Sequence, residues 1–126
     1  MQYRLKTTKA TADRLKELQS KTNLTPNILA RIAVSLSLRE KEKINLIEAP
    51  LLGLDFNRST LTGNYDYVYK SLITEHEKRE VTDDEFFPDL FNAHLERGAA
   101  ILEKEYAQAS NVNKLMRNLV DKVESI

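Results

Sequence analysis

Residues 3–38, YRLKTTKATADRLKELQSKTNLTPNILARIAVSLSL, decide how this chain folds. Tyr3, Leu5 and Thr7 alternate with Arg4 and Lys6, the two-residue period of a half-buried strand. Thr8 stands where it can cap the following helix, whose inner face is Ala12, Leu15 and Leu18. Asn23 suits the stop of that helix. Thr25 and Pro26 then start a second one, Thr as the cap and Pro at the first helical position, where no intrahelical donor is needed. Ile28, Leu29, Ile32, Ala33 and Leu36 recur along it as a wide buried stripe. The order is strand, helix, helix.

Downstream, REKEK at 39–43 reads as the solvated, fraying end of the second helix, and Pro50 and Gly53 forbid a helix through the connector 39–55. Its apolar residues, Ile44, Leu46, Ile47, Leu51, Leu52 and Leu54, suggest a loop packed on the body or on a neighbouring subunit. FNRSTLTG at 56–63 is dense in side chains that bond nearby backbone. Asn64 is expected to cap a helix with Tyr65, Val68, Tyr69, Leu72 and Ile73 on its buried face. Thr82 to Glu85 is a capping box, and Pro88 separates a short turn from a long helix over roughly 88–108. Gly98 with Ala99 and Ala100 makes a smooth patch suited to close helix–helix approach. Ser110 is expected to cap a last helix bearing Val112, Leu115, Met116, Leu119 and Val123. The expectation is one mainly α, compact domain over 1–126, admitting a short N-terminal strand in a first half that is similar in order to ribbon-helix-helix proteins.

Composition excludes several classes of function. With no cysteine there is no disulfide, thiolate metal site or cysteine nucleophile. No apolar run reaches the length of a membrane span, and MQYRLK lacks the core of a secretory signal, so the plain expectation is a cytoplasmic protein. No glycine-rich phosphate loop is present. Asp83, Asp84, Glu85 and Asp89 invite a metal-dependent cleavage reading, but consecutive helical residues spread around the circumference and capping already explains them. His76 and His94 lie in different helices without cysteine partners. Tyr65 and Tyr69, four apart on an apolar face, fit packing better than nucleophilic catalysis. No catalytic constellation emerges, and neither metal nor cofactor is expected.

Net charge is zero, yet its distribution is uneven. Residues 1–43 hold ten Lys/Arg against four Asp/Glu, while 44–126 hold nine against fifteen. Such asymmetry suits one face turned to a polyanion and another to something else. The candidate DNA-contacting set is Arg4, Lys6, Lys9, Arg14, Lys16, Lys21 and Arg31, with Arg58 as a second candidate in the FNR turn. Against it stand local ion pairs, such as Asp13 with Lys16, Glu17 with Lys21, and Arg58 with Asp55 or Asp66.

Taken in order, residues 3–38, then DFNRSTLTGNYDYVYKSLI at 55–73 and LFNAHLERGAAILEKEY at 90–106, resemble the DndE family, the small subunit of the DNA sulfur modification (phosphorothioation) system. The resemblance spans roughly 3–107, and its most specific parts are Thr22–Ala33 and Phe56–Gly63. It implies a bacterial, helical, homo-oligomeric protein, a tetramer favoured, that binds double-stranded DNA with a preference for nicks. In that system the sulfur chemistry resides in other subunits, a cysteine desulfurase and an iron–sulfur sulfurtransferase, beside an ATPase-like subunit. The resemblance therefore implies a DNA-binding, non-catalytic component partnered by those subunits. An assembly protein without essential DNA contact and a ribbon-helix-helix repressor are the alternatives.

Overall fold

The computed structural model describes residues 1–124, with side chains through residue 121. Strand β1 (Arg4–Lys6) leads into α1 (Lys9–Thr22) and α2 (Pro26–Arg39). After the connector come β2 (Asp55–Asn57), the single turn α3 (Arg58–Leu61), α4 (Asp66–Glu77), α5 (Phe91–Ala109) and α6 (Val112–Glu124). Local chemistry sets the first three boundaries as the sequence predicts. Thr8 Oγ1 accepts the Thr11 N–H at 3.1 Å, and Asn23 closes α1 in the left-handed region, donating its N–H to the Gln19 carbonyl. Thr25 caps α2 with Pro26 behind it. None of the described helices is long and apolar enough to cross a membrane.

The core is built on α2 against α5. Leu29, Ala30, Ala33 and Val34 of α2 are buried against Phe91, Leu95, Ala99 and Leu102 of α5. The axes meet at Gly98, where a Cβ would lie 1.7 Å from the Ala33 carbonyl oxygen, a space only hydrogen can fill. Gly53 makes a similar approach to the Thr8 carbonyl, seating the end of the connector on the start of α1. Tyr69, Phe86, Phe87 and Phe91 add an aromatic cluster, with Tyr69 edge-on to Phe91 at 5.6 Å between centroids.

Several expectations change. α2 stops at Arg39, with Glu40 already extended, so most of REKEK lies outside it. A 3₁₀ turn, Gly63–Tyr65, precedes α4, and Thr62 rather than Asn64 reaches into its first turn, donating to Asp66 at 2.7 Å. Only Tyr69 and Ile73 of α4 are buried; Tyr65, Val68 and Leu72 face outward. The predicted stripe was wider than the single helix α4 can bury at the edge of the fold. Glu85 closes the Thr82 capping box as expected, but Phe87 is extended and α5 begins at Phe91, three residues beyond Pro88. Ser110 caps the C-terminus of α5 in the left-handed region, and Asn111, not Ser110, opens α6 by accepting the Lys114 N–H. Leu115 is buried and Met116 and Leu119 half-buried, whereas Val123 lies outside the described side chains.

β1 pairs antiparallel with β2 of its own chain, Leu5 opposite Phe56. The order of a ribbon-helix-helix module is present, but the pairing that in such a module joins two subunits is made here within one. On β1's other edge, the Lys6 carbonyl accepts from Asn92 and the Gln2 carbonyl from Arg58.

The crossing at Gly98 gives a direct test of the architecture. Gly98→Ala, although a gain in helix propensity, is expected to lower stability by at least about 2 kcal/mol because it wedges the two helices apart. Urea denaturation followed by far-UV circular dichroism measures it; an unchanged midpoint contradicts the close-contact role.

Candidate nucleic-acid interface

Arg58 is the most heavily engaged cation of the described chain, and it points inward. Its guanidinium makes paired hydrogen bonds to both carboxylate oxygens of Asp66 (2.8 and 2.9 Å) and of Asp83 (3.0 and 2.7 Å), and one more to the Gln2 carbonyl (3.0 Å). It lies over the Phe86 and Phe87 rings at 5.3 and 4.9 Å, with its side chain 7% exposed. Hydrogen bonding to the two aspartates raises its already high pKa further, and Arg58 in turn holds both carboxyls below their ordinary range. The reading of Arg58 as a DNA contact is therefore corrected: no face of its guanidinium is left for a phosphate. Of the local partners expected for it, Asp66 is found and Asp55 is not; Asp83, 25 residues away, takes the second place.

The remaining candidates divide by what they already hold. Arg4 pairs with Asp55 at 3.2 Å, Arg14 with Glu103 at 3.4 Å, and Lys21 with Glu17 at 2.7 Å beside the Tyr106 ring. Arg31 is half-buried, donates to the Asn27 carbonyl and borders an apolar groove of about 360 Å³ floored by Ile32, Leu36, Tyr69, Met116 and Leu119. Lys6, Lys9 and Lys16 are exposed, and no carboxylate is found on any of them among the described residues. Lys9 and Lys16 stand two turns apart on one side of α1, about 10 Å along its axis. Lys6 ends the strand just before them.

Three contacts from one side of α5 hold this edge. Asn92 donates to the Lys6 carbonyl at 2.9 Å, Glu96 accepts the Thr8 hydroxyl at 2.7 Å, and Glu103 pairs with Arg14. The strand-to-helix turn that carries the lysines is thus fixed to the central helix at three levels.

Two further features escaped the sequence. His76 and His94, read as separate, meet edge to face at 4.9 Å between centroids. Arg97 Nε donates to the Ser37 hydroxyl, which is also hydrogen-bonded to His94 Nδ1, both at 2.8 Å, while His76 donates to the Glu40 carbonyl at 2.7 Å. Burial, His76 and Arg97 push the His94 pKa down to about 3, so the ring is neutral, and the network fastens the start of the connector. Among the described residues no group of three or more His, Cys, Asp or Glu could hold a metal ion; of the acids at 83–89, Asp83 bonds Arg58, Glu85 closes the capping box and Asp84 pairs with the N-terminal amine. The second feature is a cleft beside α4, lined in part by Tyr67 and Lys70.

Comparison with known proteins adds a separate line of observation. A protein-family model described as DNA sulphur modification protein DndE matches residues 4–110. No curated protein matches the chain. Among solved structures, the crystal structure of DndE from Escherichia coli B7A, involved in DNA phosphorothioation modification, superposes with a TM-score of 0.65 at 25% identity, covering 79% of this chain and 97% of that one. A DndE mutant involved in DNA phosphorothioation shares the fold with a TM-score of 0.64 at 24% identity, covering 82% and 99%.

The Arg58 cluster carries its own prediction. Arg58→Gln strands two partly buried carboxylates and is expected to cost about 3 kcal/mol at neutral pH, with Arg58→Lys recovering little because an ammonium cannot bond both forks at once. Because the aspartate pKa values are lowered in the folded state, their contribution is present above the ordinary carboxylate range and lost as pH falls through the folded values. Denaturation between neutral and acid pH should show that loss in the native chain and a flatter profile in Arg58→Gln. Equal stability of the two proteins at neutral pH contradicts the assignment.

Proposed function

Since this chain belongs to the DndE family of DNA sulphur modification proteins, we propose that it is the DNA-contacting component of the phosphorothioation machinery. In this reading it catalyses no step itself. It holds duplex DNA, a nicked duplex in preference to an intact one, and positions the sulfur-transfer subunits there, acting as a homo-oligomer in the cytoplasm.

The observation that carries the reading is the exposed Lys6–Lys9–Lys16 edge, three ammonium groups without a carboxylate on a rigidly held turn. Each phosphate they neutralise releases condensed counterion, which favours association with any sequence. Arg4 and Lys21 join the contact by exchanging an exposed carboxylate for a phosphate, an exchange that costs little because such pairs are weak, while Arg14 keeps Glu103 and offers its remaining donors. Arg31 serves from the neighbouring groove.

A second reading has its own support. The apolar groove between α2, α4 and α6, the outward Val68 and Leu72, and the exposed Leu46, Leu51 and Leu52 of the connector are surface that a subunit of an assembly buries. In that reading the chain bridges the modification complex and DNA contact is incidental. The repressor alternative loses ground because β1 is already paired within the chain.

Replacing Lys6, Lys9 and Lys16 together by Ala separates the readings. The DNA-contact reading expects affinity for nicked and intact duplexes of unrelated sequence to fall roughly tenfold or more, as up to three phosphate contacts are lost. Fluorescence anisotropy with labelled duplexes measures it. Unchanged affinity, or no affinity in the native chain at low salt, leaves the assembly reading in front.

A further inference from the structure

Tyr67, Lys70, Ser71 and Thr74 fall at i, i+3, i+4 and i+7 of α4, one outward face of the helix. Tyr67 is 79% exposed, an unusual position for an aromatic ring in a chain with only nine of them. This face forms one wall of a cleft of about 410 Å³, with Glu75 beside it and Glu80 and Val81 across it. The volume lies in the range of small-molecule sites, roughly 300–1,000 Å³.

The cleft is held, not incidental. Asp66 precedes Tyr67 directly, and Asp83 lies two residues beyond Val81, so the two walls are tied by the one Arg58 guanidinium that binds both aspartates. Thr74 donates its hydroxyl to the Lys70 carbonyl at 2.7 Å, which leaves its oxygen an acceptor.

The chemistry of the lining selects its guest. A purely apolar molecule leaves Lys70, Glu75 and Glu80 without partners. A simple anion gains Lys70 but meets two carboxylates, and a simple cation meets the reverse. A nucleotide of adenine, cytosine or guanine satisfies all of them, because its base has a face to stack on Tyr67, its amino group is a donor for a carboxylate, and its phosphate suits Lys70. We propose that this cleft receives one unpaired nucleotide, its base stacked on Tyr67, its exocyclic amine donating to Glu75 or Glu80, and its phosphate at Lys70. The inference rests on the DNA-contact reading and deepens it: a nick or flap can offer an unpaired nucleotide that intact duplex withholds.

The test uses the full chain and three duplexes: intact, nicked, and nicked with a one-nucleotide adenine flap. Tyr67→Ala is expected to lower affinity for the flapped duplex about tenfold, the scale of one lost base–aromatic stack, while leaving intact duplex unaffected. Tyr67→Phe keeps the stacking face and should bind as the native chain does. A thymine flap, which lacks an exocyclic amine, should bind less well than adenine. If Tyr67→Ala binds the flapped duplex as the native chain does, the proposal is overturned. A readout independent of duplex binding is titration with 5′-AMP followed by NMR. Shifts of the Tyr67 ring resonances are expected in the native chain and equally in the Lys6/Lys9/Lys16→Ala variant, so the site can stand even if the lysine edge binds nothing. No shift at millimolar 5′-AMP overturns it.

Discussion

The approach of α5 to α2 at Gly98 is the constraint on which the other contacts depend. With the Ala33 backbone occupying the space of a missing Cβ, the two helices lie close enough for small residues to pack along their length. That closeness puts His94 and Arg97 within reach of Ser37 at the far end of α2, and Arg97 goes on to bind the Glu42 carbonyl. It also sets the opposite side of α5, through Asn92, Glu96 and Glu103, against β1 and α1. One helix crossing therefore fixes both the connector and the lysine edge.

Arginine and lysine are used differently across this frame. Arg58 and Arg97 work as planar forks inside the fold, each bonding several oxygens that no ammonium could satisfy together. The lysines at 6, 9 and 16 stay in water, where they are available to a polyanion. A net charge of zero hides this division, since many of the acidic groups are committed to internal partners: Asp66 and Asp83 to Arg58, Glu96 to Thr8, Glu103 to Arg14. The arginine most prominent in the FNR motif turns out to hold together the walls of a cleft instead of facing solvent.

How much of this could be read from the sequence follows the range of the interactions. β1, α1 and α2 were legible because Thr8, Asn23, Thr25 and Pro26 act within a turn of their own position. Gly98 was legible as a contact point because small residues in a helix have few other uses, although its partner Ala33 was not. Arg58 was misplaced because its deciding partner, Asp83, lies 25 residues on, in a stretch whose acids looked fully explained by capping. The outward turn of Tyr65, Val68 and Leu72 was missed because periodicity reports that a face is apolar, not that something covers it. The Tyr67 cleft needs residues after α4 to fold back, which no local pattern announces.

We propose that this chain meets DNA chiefly through lysine–phosphate contacts. The dependence of duplex affinity on salt tests it most directly. The three lysines alone predict a slope of about −2.7 in log affinity against log salt, steeper as Lys21 and the arginines add their contacts, and alike for unrelated sequences. A slope near zero, or strong discrimination between sequences at one salt concentration, would contradict the account.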